Sequence, residues 1–217
     1  MKTKELLKRY VLTVVAMFFM AIGVAFSKCS NLGVSPISSV ANVMSIRFPQ
    51  LSMGMWLFIW SIFMVILQIL ILRKNFKPIE FLQIPMIVLF SVFTDIGVAI
   101  VSPIPVNSYP IQIVMVVIGV VILGFGVALS FIGNVVMNSG EALVNVIAEV
   151  SGKNVGNVKI AFDITCVVLS LLLVVIFFGF SLQGVREGTI IAAVGTGTAV
   201  KFFRKRLKKP LDKILES

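Results

Sequence analysis

Six apolar runs, near residues 10–27, 52–72, 80–102, 111–132, 158–180 and 187–203, constrain this chain more than any other feature. Each approaches the ~20 residues a helix needs to cross ~30 Å of hydrocarbon. Hydrophobic residues make up 59% of the 217 positions and charged residues 13%, too few charges to solvate the surface that such runs would expose. Lipid is therefore the expected solvent, and the expected fold class is an all-α membrane protein with six transmembrane helices. The last run is the shortest, and its Gly195, Thr196, Gly197 and Thr198 suit close helix packing. The first run follows Lys2, Lys4, Lys8 and Arg9 and is long enough to span, so it reads as an uncleaved helix rather than a signal peptide.

The basic residues write the topology. With the N-terminus cytoplasmic, the inner side receives the N-terminal cluster, then Arg73, Lys74 and Lys77, then Lys153 and Lys159, then the tail from Lys201 onward. Lys28, Arg47 and Arg186 remain outside, and the loop 103–110 carries no charge. An even number of spans with both termini cytoplasmic satisfies the positive-inside rule, and the expected location is the inner membrane of a cell. In a soluble protein a net charge of +10 would point to nucleic acid; here it is spent on topology, so the bilayer is the expected partner and nucleic acid is not. The tail is expected to lie along the anionic inner leaflet. Whether the chain self-associates stays open.

There are two cysteines, Cys29 and Cys166, and no histidine, which argues against a structural disulfide and excludes His-ligated metal and His-based catalysis. No phosphate loop, nucleophile elbow or metal-ligand cluster appears, so neither an enzyme nor a cofactor is expected.

Residues 28–51 and 133–157 are too long for turns and too apolar for solvated loops. Each opens on a helix-breaking segment, Asn31 to Pro36 and Asn134 to Gly140, and continues as about a dozen helix-compatible residues. Pro36 suits a first helical turn, and Ser35 and Asn138 are N-cap candidates. Helices over 36–48 and 139–150 cannot cross the bilayer; they read as re-entrant, broken helices.

Aligning 23–45 with 126–148 pairs Gly23 with Gly126, Val24 with Val127, Ala25 with Ala128, Ser27 with Ser130, Asn31 with Asn134, Asn42 with Asn145 and Val43 with Val146. Each half then reads as a long helix, a short broken helix and two long helices. Three crossings per half is odd, so two three-helix repeats must insert in opposite directions, the signature of secondary transporters with midplane sites. The first repeat is 1–102 and the second 111–203, followed by a basic cytoplasmic tail at 204–217.

The short helices carry polar stripes. Glu141, Asn145 and Glu149 fall on one helical face, and Ser38 and Asn42 on the equivalent face of the first half. Such stripes suit a shared solute cavity, and equally an amphipathic helix lying wet on the membrane surface. Helix N-termini at Ser35 and Asn138 offer free N–H groups to an anionic or zwitterionic group. The candidate lining is Ser35, Ser38, Asn42, Asn134, Asn138, Glu141 and Asn145. Glu141, Asp95 and Asp163 are candidates for proton or ion coupling, because carboxylates inside spans rarely face lipid. Asp163 has a plainer reading as the partner of Lys159 one turn away. Trp56 and Trp60 read as an aromatic belt.

The Gly-Val-Ser-Pro segment at 33–36, the Gly-Thr-Ile-Ile stretch at 188–191 followed by Gly195, and the basic tail, together with the duplicated short helices, resemble the YczE/YyaS/YitT family of bacterial membrane proteins. That resemblance implies a bacterial inner-membrane location and a transporter-like or uncharacterised role, and it supplies no site residues. The leading expectation is a transporter or facilitator of a small polar solute. The alternatives are a substrate-capturing subunit of an energy-coupling vitamin importer and a non-transporting protein that stabilises or regulates a partner.

Overall fold

The computed structural model describes residues 3–179, 181 and 183–216; Lys2 of the basic N-terminal cluster, Phe180 of the fifth run and Ser217 of the tail lie outside them. Regular structure among these residues is helical: α1 (Thr3–Cys29), α2 (Pro36–Arg47), α3 (Met53–Leu72), α4 (Gln83–Val101), α5 (Tyr109–Gly133), α6 (Ser139–Ser151), α7 (Val155–Phe178) and α8 (Glu187–Glu216), with short 3-10 turns before α4. Five helices, α1, α3, α4, α5 and α7, are long and apolar enough to cross a membrane, which makes this a multi-pass helical membrane protein. The sixth expected run does not end at 203. It is the first part of α8, a single helix that runs on through the basic tail and Pro210. No glycine follows Gly197, so nothing short of Pro210 interrupts helix-favouring Lys, Arg and Leu.

The two short helices stand where the sequence puts them. Asn31 and Asn134 both hold left-handed backbone, with φ 59° and 49°, and turn the chain after α1 and α5. Asparagine tolerates that region better than most side chains, which explains the matched pair. Pro36 then opens α2 at its first turn, as its fixed φ allows.

α1 and α5 form the central pair, α4 packs on α1, and α8 packs on α5. The duplicated glycines make the central crossing tight. A Cβ on Gly23 would meet the Leu123 backbone N at 2.5 Å, and one on Gly126 would meet the Met20 backbone N at 2.6 Å. Small residues let membrane helices approach to backbone contact, where dispersion forces hold them.

Each short helix packs between α3 and α7. Buried polar links secure both. Ser39 of α2 and Ser170 of α7 share a hydroxyl hydrogen bond of 2.6 Å. Gln68 of α3 donates to the carbonyl of Ser139, the first residue of α6, at 3.1 Å, and pairs with Gln83 of α4. The two tryptophans do more than mark an interface: Trp60 donates from Nε1 to the Ile37 carbonyl at 2.9 Å, and Trp56 to the Phe48 carbonyl at 3.4 Å, which ties α3 to both ends of α2.

Candidate functional site

The first turns of α2 and α6 line one cavity of about 560 Å³, within the range of small-molecule sites. Its apolar wall comes from Met20 and Val24 of α1, Phe90 of α4, Leu123, Val127 and Phe131 of α5, and Ala192 and Val200 of α8. Its polar groups are Ser35, Ser38, Asn138, Glu141, Asn145, Lys159, Asp163, Thr196 and Arg204. Six of the residues singled out by sequence are thus brought together: Ser35, Ser38, Asn138, Glu141, Asn145 and Asp163.

The local chemistry follows from how the helices begin. Neither N-cap side chain closes its own helix. Ser35 donates instead to the Ser38 hydroxyl at 3.1 Å, and Asn138 accepts from the Ser139 hydroxyl at 3.4 Å. The positive end of each helix dipole therefore meets the cavity without a capping side chain on its N–H groups. Lys159 and Asp163 form the expected one-turn ion pair, Lys159 donating. Glu141 takes part in no ion pair among the described residues. It lies in α6, which is too short to span, and burial pushes its carboxyl up to about 7, with Lys159 opposing the rise. Thr196 presents a hydroxyl with no hydrogen-bond partner among the described residues, and Arg204 lies over the Phe131 ring at 5.6 Å.

The remaining candidates fall elsewhere. Asn42 sits on the other side of α2, where it accepts from Lys28 Nζ at 3.2 Å and donates to the Gly184 carbonyl at 2.9 Å. It lines a second cavity of about 740 Å³, at the end of the bundle where α1 and α4 finish and α8 begins. Asn134 is exposed at the turn after α5 and borders a small hollow that Glu141 also touches. Asp95 lines neither cavity. Its carboxylate accepts from the Gly54 backbone N–H at 2.7 Å and from the Ser52 hydroxyl at 2.5 Å, which closes the N-terminus of α3.

Sequence reasoning missed Arg204, Thr196, Phe90 and Phe131 as lining residues and treated Lys159 as a topology marker and a partner for Asp163. Gly195 was a usable signal, because a Cβ there would meet Val120 of α5 at 2.8 Å, whereas one at Gly197 would meet nothing within 4 Å among the described residues, and Gly197 lies in the cavity wall. Among the described residues no three His, Cys, Asp or Glu side chains gather as a metal site.

A partly open, mostly apolar cavity with convergent polar groups inside a helical bundle defines a multi-pass membrane protein built around a small-molecule-sized space. Residues 7–205, almost all of that architecture, match DUF6198, a family of unknown function, and the chain belongs to it. No curated protein and no solved structure matches the chain.

Proposed function

We propose that the protein is a bacterial inner-membrane transporter or facilitator for a small anionic or zwitterionic solute, with its site in the α2–α6 cavity. The observation that carries this reading is the convergence of both short-helix N-termini with Glu141, Asn145 and the Lys159–Asp163 pair on one space of about 560 Å³. The Glu141 carboxyl and the Lys159–Asp163 pair share one wall, which suits a zwitterion whose apolar body lies against Leu123 and Val127.

We also take the chain as two inverted repeats of three spans, α8 supplying the sixth with its first half. The packing pattern supports it: exchanging α1 with α5, α2 with α6, α3 with α7 and α4 with α8 turns α1–α4 contact into α5–α8 contact, and α2–α7 contact into α6–α3 contact. With six spans, both termini fall on the cytoplasmic, Lys- and Arg-rich side. The resemblance to the YczE/YyaS/YitT proteins belongs to the same proposal.

The test is an uptake screen in proteoliposomes with radiolabelled amino acids and small organic acids, on wild type and Glu141→Gln. Uptake of one class, lost in the variant, supports the reading. A blank screen with wild-type protein shown to be folded and inserted overturns it.

A further inference from the structure

The end of the bundle around the second cavity holds three cations, and two are accounted for. Arg186 is paired with Glu187 at 3.0 Å. Arg47 lies over the rings of Phe48 and Phe177 at 5.2 and 5.8 Å. Lys28 is different. It sits in the last turn of α1, and no carboxylate lies within ion-pair distance of it among the described residues. Its ammonium is held by neutral acceptors on α2, the Ser45 hydroxyl at 2.7 Å and the Asn42 side chain at 3.2 Å, which leaves one N–H without an acceptor among the described residues. Asp95 attracts it from farther away, beyond ion-pair distance, while its carboxylate oxygens accept from Ser52 and Gly54. Withdrawing an ammonium from water without a counter-charge is costly, and an ionised side chain at a helix end inside a membrane protein calls for a partner. The cavity that Lys28, Asn42 and Arg186 share, about 740 Å³, has no Asp or Glu in its lining.

We propose that this second cavity binds an anionic oxygen group, a carboxylate or a phosphate, with Lys28 as the charged contact, Asn42 fixing the ammonium in place and Arg186 beside it. The group can come from a free solute or from a phospholipid headgroup. The site is separate from the α2–α6 cavity, and its test reads no uptake, so either proposal can fail alone.

Native Cys29 lines the same cavity, whereas Cys166 is buried, so the protein carries its own reporter. Full-length protein in phosphatidylcholine nanodiscs is treated with an anionic and then a cationic methanethiosulfonate. The Cys29 thiolate attacks the thiosulfonate sulfur, a mixed disulfide forms and the sulfinate leaves. The ratio of the two rates, normalised to a free thiol, cancels any change in the thiolate fraction. A positive charge beside the thiol attracts the anionic reagent and repels the cationic one, so the normalised ratio should favour the anionic reagent several-fold. Lys28→Gln should abolish that preference and Lys28→Arg should keep it. In a second arm, millimolar benzoate or inorganic phosphate should slow modification of Cys29 by neutral N-ethylmaleimide if the ligand is a free anion. Slowing only in discs containing phosphatidylglycerol assigns the site to a lipid headgroup. A ratio equal to that of the free thiol, an unreactive Cys29, or no slowing in any arm overturns the proposal.

Discussion

Replacing Gln68 with leucine should loosen the start of α6 and with it the wall that carries Glu141. Gln68 is fully buried, and Gln83 is 4% exposed. Their amides pair reciprocally, at 3.3 and 3.1 Å, while Gln68 also holds the Ser139 carbonyl at 3.1 Å. Leucine has a similar bulk, so the change removes hydrogen bonds and leaves little void. Hydrogen bonds between membrane helices average about 0.6 kcal/mol each, so the three together are worth about 2 kcal/mol. The Gln83 amide is left buried and unpaired, which adds about 1–3 kcal/mol, and leucine's better fit to an apolar site returns part of that. The expected net loss is about 2–4 kcal/mol, measured by reversible unfolding in bicelles with a steric trap. The double variant Gln68→Leu/Gln83→Leu removes the orphaned amide as well and should be less damaging than Gln68→Leu alone. A single variant within about 0.5 kcal/mol of wild type, the usual size of an inconsequential substitution, would refute this reasoning. So would a double variant whose loss equals the sum of two independent losses.

Other outcomes follow from the same structure. Gly23→Leu and Gly126→Leu should be similarly severe, because each side chain would be driven into partner backbone at 2.5–2.6 Å; yield and thermal stability in detergent check the pair. Asp95→Ala should cost about 1 kcal/mol through lost capping of α3, with Asp95→Asn costing less. Since the Glu141 carboxyl is raised to about 7, the folded protein binds a proton that the unfolded chain releases near the ordinary carboxylate range. Its contribution to stability is therefore fully present at acid pH and is lost as pH rises toward and through 7; Glu141→Gln should flatten that part of a pH–stability curve. Ser39→Ala should weaken the α2–α7 contact by only about 0.6 kcal/mol and leave the fold intact, as thermal unfolding will report.

Much of the architecture was legible in the sequence because it rests on local chemistry. Apolar runs of spanning length mark α1, α3, α4, α5 and α7, and the turn residues Asn31, Pro36 and Asn134 frame the short helices within a residue or so. The likeness of Gly23 to Gly126 was readable because both meet the same constraint, backbone against backbone. What could not be read was which wall each polar side chain serves. Asn42 and Asn145 are matched in the repeat, yet Asn145 lines the α2–α6 cavity while Asn42 turns to Lys28 and Gly184 on the other side. Lys28, the partner of Asn42, has no counterpart in the second half, where Phe131 stands. Asp95 looked like a coupling carboxylate because its partner, the start of α3, lies 41 residues away and leaves no local trace. Arg204 read as tail because its charge sits in a basic cluster, and only the continuity of α8 brings it beside Phe131.

The claim on which the rest depends is that both short helices lie inside the bilayer beside a water-filled space. Spin labels at Ser38 and Asn145, read by power saturation with oxygen and with a water-soluble nickel complex, measure this directly. Both labels should report hydrocarbon depth when the surrounding helix positions are used as a ruler, and both should still be reached by the nickel complex. Two labels at headgroup depth would mean that the helices lie on the membrane surface, and the shared site would not exist.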